Sequence, residues 1–407
     1  LPKDAVWGAG AGDQLLLVVP SLNLIMVRTG EALEPGPGEP PIRKDDVFTR
    51  YHDYRVRILF EPLVDAVTNR TMKTRAAPYP PSKFIADIQW APKQSIIRQA
   101  RGSDNWPLTW ADDDWLYSAY GDGNGFEPFV PEKLSLGFAK IRGSPPDFSG
   151  VNFRAPSGEQ TGQGKEGKKA SGLLCVDRVL YLWTRNAGNA QLAWSTDHAR
   201  TWQWADWKLT TSFGCPAFLN FGRNYAGARD RFAYVYSPDT DSAYRTADQL
   251  VLARAPTTRL RDRDAWEFFA GPDAAGQPRW TRDLAERGGV FAHSGHCCRS
   301  SVTWNAALHR YFLVQPVPGP ASRDRAGTLD TRFAGGLAVY DAPEPWGPWT
   351  TVFFTDQWDV GPGETASFPT KWMSADGHAL HLVFSGDDCF SVRRADLPSP
   401  AVQPQTK

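Results

Sequence analysis

The sequence predicts an all-β chain: a five-bladed β-propeller with a small α+β segment in front of it. Three observations carry that expectation. Five stretches repeat one form, a small residue or proline, a short apolar or aromatic strand, a turn and a second apolar strand. Their aligned early positions, Pro107, Ser171, Pro216, Ser300 and Pro369, lie 64, 45, 84 and 69 residues apart, about one four-stranded blade each. Aromatic residues make up 13% of the 407, with 17 Trp, 36 Gly and 33 Pro, which suits many short strands joined by shaped turns.

Residues 1–75 read differently from the rest. DQLLLVVPSLNLIMVR predicts two apolar strands around a Pro-Ser turn, and EPGPGEPPIRKDD is a Pro/Gly-rich loop. Val56, Leu59, Phe60, Leu63, Val64 and Val67 recur at helical spacing. Two strands and a helix are too few for a core of their own. WGAGAGDQLLLVVPSLNLIMVR, Trp7 to Arg28, resembles the strand that closes the active site of penicillin-binding-protein or class C β-lactamase type serine hydrolases, with the hairpin after it. Residues 51–68 resemble that family's terminal helix. No Ser-x-x-Lys nucleophile segment or Tyr-x-Asn segment precedes Trp7 in this chain, so a remnant without that chemistry is expected.

After a linker at 76–83, the propeller is expected over 84–400, with 401–407 as a tail. The five units are WPLTWADDDWLYSAYGD, ASGLLCVDRVLYLWTRN, CPAFLNFG with RFAYVYSPD, RSSVTWNAALHRYFLVQ and FPTKWMSADGHALHLVFSGD. Outer strands follow in several, for instance AQLAWST with TWQWADWKLT, and GGLAVYDAP with WTTVFFT. Radial repetition leaves only short, protected sheet edges, and SKFIADIQWAP at 82–92 is the candidate strand that closes the ring against the last blade. Six or seven blades are the alternatives if long insertions conceal strands, and a two-sheet sandwich is the structural competitor.

STDHARTW, residues 195–202, resembles the sialidase Asp-box, with Ser195, Asp197, Thr201 and Trp202 in place and Ala199 where glycine is usual. Asp197 is expected to receive turn amides and Trp202 to pack between strands, a structural role. WPLTWADDDWLYSAYGDGNGF, RNAGNAQLAWS, SFGCPAFLNFG, DAPEPWGPWTT and FPTKWMSADGHALHLVFSGDD resemble, over roughly 75% of the chain, a bacterial propeller family grouped as a domain of unknown function. That family is related in architecture to arabinanase-like and sialidase-like propellers. The resemblance implies carbohydrate-active neighbours, glycoside hydrolases among them.

Lys plus Arg and Asp plus Glu are each 45, so net charge is formally zero, and no long basic run offers a track for nucleic acid. The longest apolar runs are too short to cross a bilayer. Five cysteines show no repeated C-x-x-C spacing, and free thiols are expected, a bridge from Cys297 or Cys298 being the alternative. A chain starting at Leu1 rather than Met is compatible with a removed export signal, so a periplasmic or secreted location is the expectation. Oligomeric state is open.

In a propeller the innermost strand of each blade lines the central channel, and ligands meet the loops at its ends. The carboxylates expected there are Asp104, Asp122, Glu364 and Asp387, with His296 as a further catalytic candidate. Trp106, Arg185, Asn186, Tyr236, Arg299 and Asp388 are the expected substrate contacts. Asp113 and Asp114 of the conspicuous triple aspartate are expected in a hairpin turn remote from the mouth, and Asp112 is left open by register.

Paired carboxyls imply hydrolysis of a glycosidic bond in an oligo- or polysaccharide. One alternative is β-elimination of a uronic-acid glycan, with Arg185 and Arg299 on the carboxylate and His293, His296, Tyr234 or Tyr236 moving protons. The other is a noncatalytic carbohydrate-binding propeller. No cofactor is required by these readings, and calcium in the channel is an option, held by Asp carboxylates and backbone oxygens. GEQTGQGKEGKK, 158–169, lacks the spacing of a phosphate loop and is expected to be a rim loop whose lysines meet anionic sugar.

Overall fold

Each repeat folds as a four-stranded antiparallel sheet in the computed structural model, which describes residues 4–10, 14–22, 24–29, 77–319, 322 and 329–398. Blade 1 runs through Leu108–Trp110, Leu116–Tyr120, Gly137–Arg142 and Ser149–Phe153. Blade 2 is Lys169–Val176, Val179–Arg185, Ala190–Ser195 and Gln203–Leu209. Blade 3 is Ala217–Asn220, Phe232–Pro238, Ala247–Pro256 and Glu267–Pro272, with Pro278–Thr281 added outside. Blade 4 is Ser301–Asn305, Arg310–Val317, Gly336–Ala342 and Thr350–Thr355.

The fifth blade closes the ring with strands from both ends of the propeller. Ala366–Ser367, Ala379–Phe384 and Phe390–Asp396 supply three strands, and Gln89–Trp90 pairs antiparallel with the last of them. The expected closing strand at 82–92 is therefore present. A second segment, Ile97–Gln99, pairs with Phe390–Val392 and had no sequence counterpart in the expectation. The fold is thus an all-β, five-bladed propeller, assigned on its own strand pairing.

Apolar layers fill the spaces between blades, so both faces of a blade are buried. All eight residues of Lys169–Val176 and of Arg310–Val317 are buried, which removes the polar alternation of a one-sided sheet. Phe390 reaches across the closure from blade 5 onto Trp106 and Phe126 at 5.2 Å each, and Phe148 at 5.7 Å between ring centres. Trp90 joins Phe353, Trp358 and Phe368 on the other side of the same blade.

The expected alignment slips in blade 5. Its innermost strand is Ala366–Ser367, and Pro369 instead precedes a 3-10 turn, Thr370–Trp372. Proline has no N–H for a ladder, so a turn follows it more readily than a central strand. The triple aspartate forms the blade 1 hairpin turn as expected for Asp113 and Asp114, and Asp112 belongs to the same turn. Asp113 accepts from the Tyr117 hydroxyl at 2.8 Å, and Asp114, at φ 69°, accepts from Trp110 Nε1 at 2.8 Å.

The chain divides between Arg75 and Ala76 into two compact units. In the first, Val6–Gly10, Gln14–Val19 and Leu24–Arg28 make a three-stranded antiparallel sheet, the last two strands joined by the turn Pro20–Leu22. Leu15, Leu17 and Val19 are buried on one face, one strand more than the sequence reading placed here. The helix expected at 51–68 lies outside the described residues.

Phe390→Ala tests the closure. Loss of this fully buried ring is expected to cost about 3–5 kcal/mol in denaturant unfolding with the slope unchanged; a loss below about 1 kcal/mol would show that blades 5 and 1 are not closed through this layer.

Candidate active site at the channel mouth

The channel is lined by innermost strands of all five blades, among them Leu108, Gly172, Phe218, Val302 and Ser367. At the end where these strands begin, each blade delivers one polar side chain or thiol: Asp104, Lys169, Cys215, Arg299 and Glu364. Strands two end at the same face, because the blades are antiparallel, and add Asp122 and Arg185. A backbone bridge between Asp104 and Gly121 ties the two ends of blade 1 together.

Local sequence explains the placement. Gly121 has no room for a side chain: a Cβ there would stand 2.6 Å from Asp104 Oδ1 and 2.7 Å from Asn105 Nδ2. Gly363, at φ 80°, lies where a Cβ would meet the Ser385 backbone at 2.4 Å, and this approach lets Ser385 Oγ accept from Glu364 N at 2.7 Å. Asn105, Asp122 and Asn186 all take left-handed backbone, at φ 57°, 45° and 58°, a conformation Asn and Asp tolerate better than other side chains.

Glu364 is held from two sides, by Arg185 Nη2 at 2.9 Å from blade 2 and Arg299 Nη1 at 3.0 Å from blade 4. Arg185 Nη2 also donates to Asn105 Oδ1 at 2.8 Å, and Asn105 Nδ2 donates to Asp104 Oδ1 at 2.8 Å. One polar chain therefore links blades 4, 5, 2 and 1. Lys169 pairs with Asp122 Oδ2, whereas the buried Asp122 Oδ1 has no hydrogen-bond partner among the described residues.

These surroundings drive two carboxyls apart. Burial, then the negative charge of Glu364, pushes Asp104 up to about 7. Burial also works to raise Glu364, but Arg299 and Arg185 outweigh it, and Glu364 stays ionised far below the usual carboxylate range. Tyr244, from the loop between strands two and three of blade 3, sets its ring 5.4 Å from the Arg185 guanidinium and 5.3 Å from that of Arg299.

Asp104, Asp122, Arg185, Arg299 and Glu364 thus converge as candidates. Asn186 adjoins them, but its amide donates to Gly164 O, Gly167 O and the Tyr244 hydroxyl, which spends it on holding the rim. Asp388 lies close enough to Glu364 to feel its charge and pairs with Arg332 at 3.2 Å. Its carbonyl accepts from Gly102 N and Ser103 N, pinning the loop that carries Asp104. Asp387 pairs with Arg98 at 2.8 Å, and His296 stacks on His293 at 4.4 Å; neither is brought into the group.

Two expected substrate contacts are corrected. Trp106 is 1% exposed, packed among Tyr120, Phe126 and Phe390 with Nε1 donating to Ser103 O, and has no open face for a sugar. Tyr236 is fully buried, its hydroxyl donating to Pro345 O, and Tyr234 donates to Asp230 at 2.7 Å. These tyrosines supply no base at the mouth. Tyr244 and Arg332 were missed; both lie on loops joining strands two and three, which share the mouth end.

All five cysteines are free and buried. Among the described residues no group of three or more His, Cys, Asp or Glu side chains is arranged to hold a metal ion, and the mouth carboxylates face cations. No helix among the described residues is long and apolar enough to cross a membrane. In the turn at 195–202, Asp197 Oδ1 accepts from Thr201 N at 2.9 Å, Ala199 takes φ 66°, and Trp202 stacks on Phe138 at 5.0 Å.

Asp104→Asn removes the perturbed titration. Because the folded carboxyl is raised from 3.8 to about 7, its stabilising contribution is full at low pH and is lost as pH rises through about 7. The variant's melting temperature is therefore expected to gain on wild type between roughly pH 4 and pH 8, by ~2–4 °C per kcal/mol, in calorimetry. A constant difference across that window would remove the buried, raised carboxyl.

No protein-family model matches the chain, and no curated protein matches it by sequence. Solved structures similar in chain path include an α-L-arabinofuranosidase from Podospora anserina in complex with cellotriose, 11% identical over 79% of this chain and 100% of that one, at a TM-score of 0.44. A GH43_1 enzyme from Xanthomonas citri is 13% identical over 76% and 92%, at 0.41. The catalytic domain of a GH62 α-L-arabinofuranosidase from Coprinopsis cinerea is 12% identical over 78% and 98%, also at 0.41.

Proposed function

We propose that the protein hydrolyses a glycosidic bond in an oligo- or polysaccharide, with Asp104 as the acid and Asp122 as the base. The observation that carries this reading is the division of labour among the carboxyls: Asp104 retains a proton near neutrality while Glu364 beside it is ionised. Asp104 protonates the leaving glycosidic oxygen. The unpartnered Asp122 Oδ1 takes a proton from the water that attacks the anomeric carbon, so the hydroxyl ends on one product and the proton on the other. Glu364, neutralised by Arg185 and Arg299, is too weak a base for that step. Its role is to keep a second negative charge off Asp104 and to fix the two arginines.

The test is release of reducing ends from a panel of neutral and acidic polysaccharides. Wild type is expected to release product with a rate that falls as pH rises through about 7, when Asp104 loses its proton. Asp104→Asn is expected to lower kcat by roughly 100- to 10,000-fold with KM little changed. Full activity in that variant, or binding of a glycan by wild type with no product after long incubation, would sink the hydrolase reading.

A further inference from the structure

Lys168 and Lys208 meet at Gln191 beside the mouth: Lys208 is the cross-strand partner of Gln191, whose side chain accepts from Lys168. Lys168 Nζ lies 4.0 Å over the Trp204 ring and donates to Gln191 Oε1 at 3.1 Å. Burial, then repulsion from Lys208, lowers the pKa of Lys168. Neither lysine is paired with a carboxylate among the described residues. Holding two ammonium groups together without an acid costs free energy that an anionic ligand would recover. On the adjoining rim loop, Lys165 lies 5.7 Å from the Tyr244 ring, which also neighbours Arg185 and Arg299. Glu166 is the one acid in residues 161–168.

The buried end of this row is also short of acceptors. Arg185 is 0% exposed and its Nε and Nη1 have no well-aligned acceptor among the described residues, the Cys215 thiol being a neighbour; Arg299 is 2% exposed and makes its ion pair to Glu364 without a well-aligned hydrogen bond. At the centre Lys169, Arg185 and Arg299 face Asp122 and Glu364, and Arg332 with Asp330 and Asp388 lies beside Glu364.

We infer that the mouth face of blade 2, from Arg185 through Lys168 to Lys208, is a binding track for an acidic glycan whose sugar units carry carboxylate or sulfate groups. The inference rests on the hydrolase reading only for the position of the bond to be cleaved. Binding by the track is independent of cleavage.

Isothermal titration with polygalacturonate, sulfated dextran and neutral dextran tests it, comparing wild type with the Lys168→Gln/Lys208→Gln double variant, both melting alike. Wild type is expected to bind at least one of the two acidic polymers and not neutral dextran, with affinity falling as salt is raised and roughly tenfold or more in the double variant. Preference for polygalacturonate assigns a carboxylate ligand, and preference for sulfated dextran a sulfate ester. Equal binding to neutral dextran, unchanged affinity in the double variant, or equally tight binding to single-stranded DNA would overturn it. Reducing ends are scored in the same samples. Binding without product leaves the track and removes the hydrolase; product from neutral glycans without binding of either polyanion does the reverse.

Discussion

The double ion pair of Glu364 with Arg185 and Arg299 is the constraint on which the mouth depends. A carboxylate withdrawn from water is costly unless it is paired and hydrogen-bonded, and here the partners come from two other blades. Removing one partner of such a buried pair typically costs about 3–5 kcal/mol, because the remaining charge is stranded. Through Asn105 the same arginine reaches Asp104, whose protonation is set first by burial and then by the charges of Glu364 in blade 5 and Lys169 in blade 2. A change in the pairing of Glu364 would be felt as a change in the acidity of Asp104.

This coupling is a consequence of propeller geometry. Five innermost strands begin at one end of a shared channel, so residues far apart in sequence, 179 positions in the case of Arg185 and Glu364, become neighbours. Between the blades the same geometry demands apolar filling, and most of the tryptophan is spent there. Trp106 illustrates the division: it stands two residues after Asp104, yet its ring packs in the layer shared with Phe390 while the Asp104 carboxyl joins the polar chain through Asn105.

The loops that frame the mouth add a second level of order. Asn186 holds the rim loop through Gly164 and Gly167, Asp388 holds the segment before Asp104, and the Tyr244 ring neighbours both buried arginines and Lys165. Left-handed backbone at Asn105, Asp122 and Asn186 aims each chain reversal at the centre. Such conformations cost free energy where they occur and persist when surrounding contacts over-determine them, as the hydrogen bonds around these three residues do.

The sequence by itself determined the repeat, the closing strand near Trp90, the turn at Asp113 and Asp114, and the set of strand ends from which a site is drawn, and it favoured five blades over six or seven. These are local properties: turn residues, short apolar runs and their spacing are written along the chain. Only the tertiary structure decided which strand-end residues face the channel. Alternation along a strand normally distinguishes core from solvent, but both faces of a blade are buried against neighbours, as in Lys169–Val176, so the pattern that would have separated Asp104 from Trp106 or exposed Tyr236 as core is absent. The slip at Pro369, the pairing of Lys169 with Asp122 and the arrival of Tyr244 belong to the same class, for each depends on contacts between segments that no local pattern encodes.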